Sequence, residues 1–181
     1  MKTWLKMIAV TASVAAFALV APTTAQAAPY CGITWGSLDR SAGSLSTDPL
    51  INVRAGRHDC YDRLVMDFDG SAAGYTVRYV SSVPAQGSGN SIALRGGAFL
   101  EIALEAPAYD ANGNPDVHPG QRQGTGQHQR LSDVSTGLLG RQFRGYTTIG
   151  LGVRARLPFR VFTLAGPGDR SRLVIDVAHQ W

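Results

Sequence analysis

Short runs with alternating apolar and polar residues recur along the chain beyond residue 50, while apolar positions at helical spacing are scarce. In residues 62–68, Leu64, Met66 and Phe68 fall on one side of an extended segment, and Arg63, Val65 and Asp67 on the other. Such a segment buries one face and leaves the other partly wet, as antiparallel sheets do. Comparable β-branched and aromatic runs predict further strands at 51–53, 75–80, 91–95, 98–104, 130–134, 143–153, 159–164 and 172–177. Turn signals such as Asp69-Gly70 and Gly96-Gly97 separate them. The pattern predicts an all-β domain, an antiparallel β-sandwich or open barrel of short strands. Residues 107–128, rich in Gly, Asn, Gln and Pro, interrupt it and read as one long internal loop.

The first residues follow a different pattern. Lys2 and Lys6 precede a nearly unbroken apolar run from Met7 to Ala21, followed by Ala25-Gln26-Ala27. That is the layout of a cleavable secretory signal peptide over residues 1–27, and the run is shorter than the roughly 20 residues a bilayer-spanning helix needs. Cleavage leaves residues 28–181 as a single domain and an expected soluble, exported protein. It also removes both lysines of the chain, so the formal charge falls from +4 to +2, with 15 arginines against 13 acidic residues. Cys31 and Cys60 are the only cysteines. An even count in an oxidising compartment predicts a disulfide, and two isolated cysteines offer too few ligands for zinc.

Catalytic patterns are thin. There is no G-x-S-x-G and no H-E-x-x-H, and no glycine-rich phosphate loop opens a helix. Asp110–Asp116 imitates the start of a calcium loop, but Pro115 and Gln121 stand where glycine and glutamate are required. No metal and no cofactor is expected. His58 with Asp59 and Asp62 is the best acid–base cluster, and its simpler reading is a brace for the strand entry beside Cys60. The run from Arg63 to Asp67 recurs from Arg172 to Asp176, each with Arg and Asp four apart around a valine. The expectation is cross-strand ion pairs on a surface, each of little energetic weight.

Charge is unevenly distributed. Residues 28–119 carry six arginines and ten acids, whereas residues 120–181 carry nine arginines and three acids. Arg141, Arg144, Arg154 and Arg156 fall in or beside two successive β segments, and a regular strand points Arg154 and Arg156 the same way. The planar guanidinium fork suits carboxylates and phosphates. For an exported protein the available polyanions are wall polymers and peptide carboxylates rather than nucleic acid.

The stretches His58–Gly70 and Gly74–Val80, with Pro158–Leu164 and Ser171–Ala178 near the end, resemble the actinobacterial AMIN-like domain. Trp35-Gly36-Ser37 and the two cysteines resemble the N-terminal region of that family, so the likeness runs over residues 31–179. His58, Asp62, Arg63, Asp67, Arg172 and Asp176 are its signature residues here. The resemblance implies a β-sandwich related to the AMIN domains of cell-wall amidases and secretins, and a non-enzymatic module at the envelope. Peptidoglycan or an anionic wall polymer is the expected partner, bound through the C-terminal arginines. The sequence leaves the oligomeric state open, and the competing readings are a wall hydrolase using His58 and a carrier of a small ligand.

Overall fold

A strand with one apolar face is stable only when that face is covered, and this chain covers one sheet with another. The computed structural model describes residues 28–84, 89–109 and 145–181. They form eight strands: β1 (Arg40–Ala42), β2 (Leu50–Arg57), β3 (Tyr61–Phe68), β4 (Tyr75–Val80), β5 (Ala98–Leu104), β6 (Thr147–Val153), β7 (Phe159–Ala165) and β8 (Ser171–Ala178). Two four-stranded antiparallel sheets result. Sheet A has the order β1-β4-β5-β6 and sheet B the order β2-β3-β8-β7. The two sheets are separate, which makes the fold a β-sandwich and not an open barrel.

The core lies between them. Leu64, Met66 and Phe68 of β3 and Leu173, Ile175 and Val177 of β8 meet Leu100, Ile102 and Leu104 of β5 and Ile149 and Leu151 of β6. The one-sided alternation of β3 therefore points as the sequence reading has it. Full burial of each Leu, Ile or Phe contributes about 1.5–3 kcal/mol.

Two strand assignments need correction. Residues 91–95 form no strand; Ser91 makes an isolated bridge to Pro84, and Ile92 N–H donates to Val83 O at 2.8 Å. The segment instead lies over the outer face of sheet A, where Leu94 and Val83 fit against Gly150. A Cβ at Gly150 would stand 2.9 Å from Leu94 Cδ1 and 3.3 Å from Val83 Cγ1. Apolar residues that cover a sheet thus imitate the composition of a strand. The second concerns the strand expected at 143–153: among the described residues β6 begins at Thr147, because Gly145 turns the chain with φ +75°, while 143 and 144 lie outside the described residues. The segment 51–53 proves to be part of the longer β2, whose polar end pairs with β3 through Arg57 opposite Asp62. β1 was not expected from the sequence; all three of its residues are exposed, so it carries no apolar alternation. The predicted strand 130–134, the calcium-like stretch and the loop from residue 110 onward lie outside the described residues, as does the signal peptide.

Tyr79 of β4 ties sheet A to the β6–β7 connection. Its hydroxyl donates to Leu157 O at 2.8 Å and accepts from Leu157 N–H at 2.9 Å, so one side chain satisfies both backbone groups of a buried residue. Burial raises the phenol pKa above its ordinary value, outweighing the opposing effects of the Leu157 backbone and Arg156. Because the folded state holds this proton more tightly, the contribution of Tyr79 is complete below an unfolded pKa of about 10 and declines as pH rises past it. Tyr79→Phe is expected to cost about 1–3 kcal/mol in urea denaturation at pH 7, since it strands the Leu157 backbone groups. The difference between the two proteins should shrink above pH 10.

Candidate functional site

The antiparallel register sets the outer face of sheet B. Arg63 of β3 lies opposite Asp176 of β8, which lies opposite Arg160 of β7. Arg63 Nε donates to Asp176 Oδ1 at 2.7 Å and its Nη2 to Oδ2 at 2.9 Å, while Arg160 donates from Nε to Oδ2 at 2.9 Å. The carboxylate is 0% exposed, yet the Arg63 and Arg160 side chains keep 25% and 42% of their surface in solvent. The bond to Asp176 raises the Arg63 pKa further above its usual high value, against the opposing effect of burial.

Aromatic rings frame both guanidiniums. The Arg160 guanidinium carbon stands 4.4 Å from the Trp35 ring centre and 5.0 Å from that of Phe162. Arg63 lies 5.3 Å from the Tyr61 ring and 5.5 Å from Phe162. Trp35 meets Tyr61 edge to face at 5.7 Å. Trp35 is brought here by the segment before β1, whose Gly36 O accepts from Phe159 N–H at 2.9 Å. Further along the face, Asp67 accepts from Arg54 Nε and Asn52 Nδ2, both at 3.0 Å.

This arrangement overturns the expectation that the repeated Arg/Asp strands make only weak surface pairs. The two strands are direct neighbours, so the Arg of each faces the Asp of the other. Arg63–Asp176 closes around a fully buried carboxylate, and Arg160 joins from the far side. The second combination does not form. Asp67 is taken by Arg54, and Arg172 donates to Ala165 O at 3.0 Å instead. Tyr61, Arg160 and Phe162 were not singled out from the sequence as site residues, and Trp35 entered only through the resemblance of Trp35-Gly36-Ser37. The alternation of β3 and β7 cannot tell which ring meets which cation.

A second concavity opens between the sheets at the end of the sandwich that carries the β2–β3 turn. This cleft is about 680 Å³, with Leu64, Leu151, Leu157, Ile175 and Val177 at its base. Arg57, Asp59, Asp62, Arg154 and His179 stand among its polar lining. His179 is held by Asp62 Oδ1 at 3.1 Å and by Asp59 O at 3.2 Å. The Cys31–Cys60 disulfide fastens the β2–β3 turn to the N-terminal segment at this end. Among the described residues no group of three or more His, Cys, Asp or Glu side chains is arranged to hold a metal.

Of the four predicted arginines, Arg154 and Arg156 are among the described residues, and the two have different surroundings. Arg154 and Arg156 follow the end of β6 rather than sharing a strand face. Arg154 lines the cleft, whereas Arg156 donates to Ser37 O at 2.9 Å and stacks 5.1 Å from the Tyr79 ring. Arg141 and Arg144 lie outside the described residues. His58 stacks on Tyr61 at 4.6 Å, and the partner of Asp62 is His179.

The family model of the AMIN-like domain matches residues 48–179, which is most of the chain. The chain belongs to the AMIN-like family. No curated protein matches it, and neither does any solved structure. The match runs from just before β2 through β8, so the Arg63–Asp176–Arg160 arrangement lies wholly inside it. Trp35 and Cys31 lie N-terminal to the matched region. AMIN-like domains are generally non-catalytic binding modules and occur in extracellular or envelope proteins, and membership of the family points to a cell-wall-associated module. No helix among the described residues is long and apolar enough to cross a membrane.

Proposed function

We propose that this AMIN-like domain is an exported, non-enzymatic module that holds peptidoglycan or an anionic wall polymer on the outer face of sheet B. The supporting observation is the pair of half-exposed guanidiniums, Arg63 and Arg160, fixed by one buried carboxylate and framed by Trp35, Tyr61 and Phe162. Each guanidinium has five N–H donors, and Asp176 occupies only part of them. Arg63 also donates from Nη2 to the Tyr61 hydroxyl at 3.3 Å, and both side chains stay partly exposed in orientations set before any ligand arrives. Rings beside them offer flat apolar surface to a sugar face, and Tyr, Trp and Arg are the residues that most often dominate binding surfaces. The role earlier assigned to the C-terminal arginines thus moves to Arg63 and Arg160.

Export rests on the N-terminal Lys2–Ala27 pattern. Co-sedimentation with purified cell wall across a salt series tests the binding. Retention should be strongest at low ionic strength and fall several-fold by 0.5 M salt, because partly exposed charges are screened. Absence of retention at low salt removes the proposal. A cleared band in a peptidoglycan zymogram, lost on His58→Ala, would favour the hydrolase reading instead.

A further inference from the structure

We infer that the cleft at the β2–β3 end binds a short peptide carrying a free C-terminal carboxylate. The inference goes beyond the outer-face reading: Arg63 lines the cleft as well as the outer face, but Arg57 and Arg154 belong to the cleft alone and Arg160 and Trp35 to the outer face alone. Its volume, about 680 Å³, falls within the range of roughly 300–1,000 Å³ typical of small-ligand sites.

Charge complementarity selects the ligand. Arg57 and Arg154 both line the cleft, and neither has an acidic partner within ion-pair distance among the described residues. Arg57 lies opposite Asp62 in the β2–β3 register, but the Asp62 carboxylate is held by His179. Two exposed guanidinium forks in one concavity, without an acidic partner among the described residues, suit a carboxylate. Asp59, which has no ion-pair partner among the described residues, adds the opposite sign on the same lining, which suits the ammonium end of a zwitterion. A fatty acid uses the cations and the aliphatic base but leaves Asp59 without a role. The base, made of Leu151, Leu157 and Val177 among others, accepts small apolar side chains. A short peptide uses every part of this lining.

The probe is trialanine, titrated into the full chain and followed by two-dimensional NMR. The expected result is saturable shifts centred on Leu151–Arg154 and Ala178–Gln180. Amidating the C-terminus of the peptide should weaken binding at least tenfold, and N-acetylation about threefold. Arg154→Gln and Arg57→Gln, both at exposed positions, should each weaken it about tenfold with an unchanged melting temperature. Arg160→Gln should leave trialanine affinity unchanged, so failure here and failure of wall binding are read separately. The inference is overturned by absence of saturable shifts, by equal binding of the amide, or by palmitate binding the same residues more tightly than trialanine.

Discussion

Replacing Arg63 and Arg160 together by methionine is expected to destabilise the domain by about 3–5 kcal/mol, the cost of leaving a buried charge without its partners. The magnitude follows from the asymmetry of the triad. Asp176 has no exposed surface, so it cannot recover the lost bonds from water, whereas both arginines reach solvent. Asp176→Asn should therefore cost less than the double arginine variant, about 1–3 kcal/mol, since the freed guanidiniums can hydrate. Replacing all three residues by apolar ones of similar volume should come out near neutral. Urea denaturation of the four proteins at pH 7 checks the order. A double variant as stable as the parent would show that Asp176 does not depend on this pairing.

Loss of the disulfide has the next largest expected effect. Cys31 and Cys60 are 29 residues apart in sequence, and closing a loop of that length stabilises by about 3.5 kcal/mol on the chain-entropy model. The bond also joins the N-terminal segment, which carries Trp35, to the β2–β3 turn, where His179 N–H donates to Cys60 O at 3.0 Å. The Cys31→Ser/Cys60→Ser variant is thus expected to melt many degrees lower and to lose the order of the Trp35 side chain. Thermal unfolding with tryptophan fluorescence reads both. An unchanged melting temperature would mean that the N-terminal segment is held by its other contacts alone, such as Phe159 N–H to Gly36 O.

The parts of the fold that alternation dictates were legible in the sequence. β3, β4 and β5, and most of β8, carry apolar residues at every second position, and an inward row of that kind admits one orientation only; β7 contributes Phe159 and Val161 in the same way. Residues 91–95 misled because Leu94 is apolar for a different reason: with Val83 it covers the outer face of sheet A at Gly150. β1 was missed because an exposed edge strand needs no apolar row. For the site, the repeated Arg/Asp strands were visible, but their meaning depends on register. Only the direct β3–β8 pairing places Arg63 against Asp176, and only the β7–β8 pairing adds Arg160. Trp35 comes from a segment with no strand signal at all, and His179 meets Asp62 across a separation of 117 residues. Contacts of that range have no local pattern to betray them.

Wall co-sedimentation of outer-face variants at low salt tests the central claim most directly. Arg160→Gln removes one guanidinium while Arg63 keeps Asp176 paired, and Trp35→Ala removes the ring that Arg160 stacks on. Both should remain folded and lose at least tenfold of the retained protein relative to the parent. Retention of both variants at the parent level would contradict the assignment of wall binding to the outer face of sheet B.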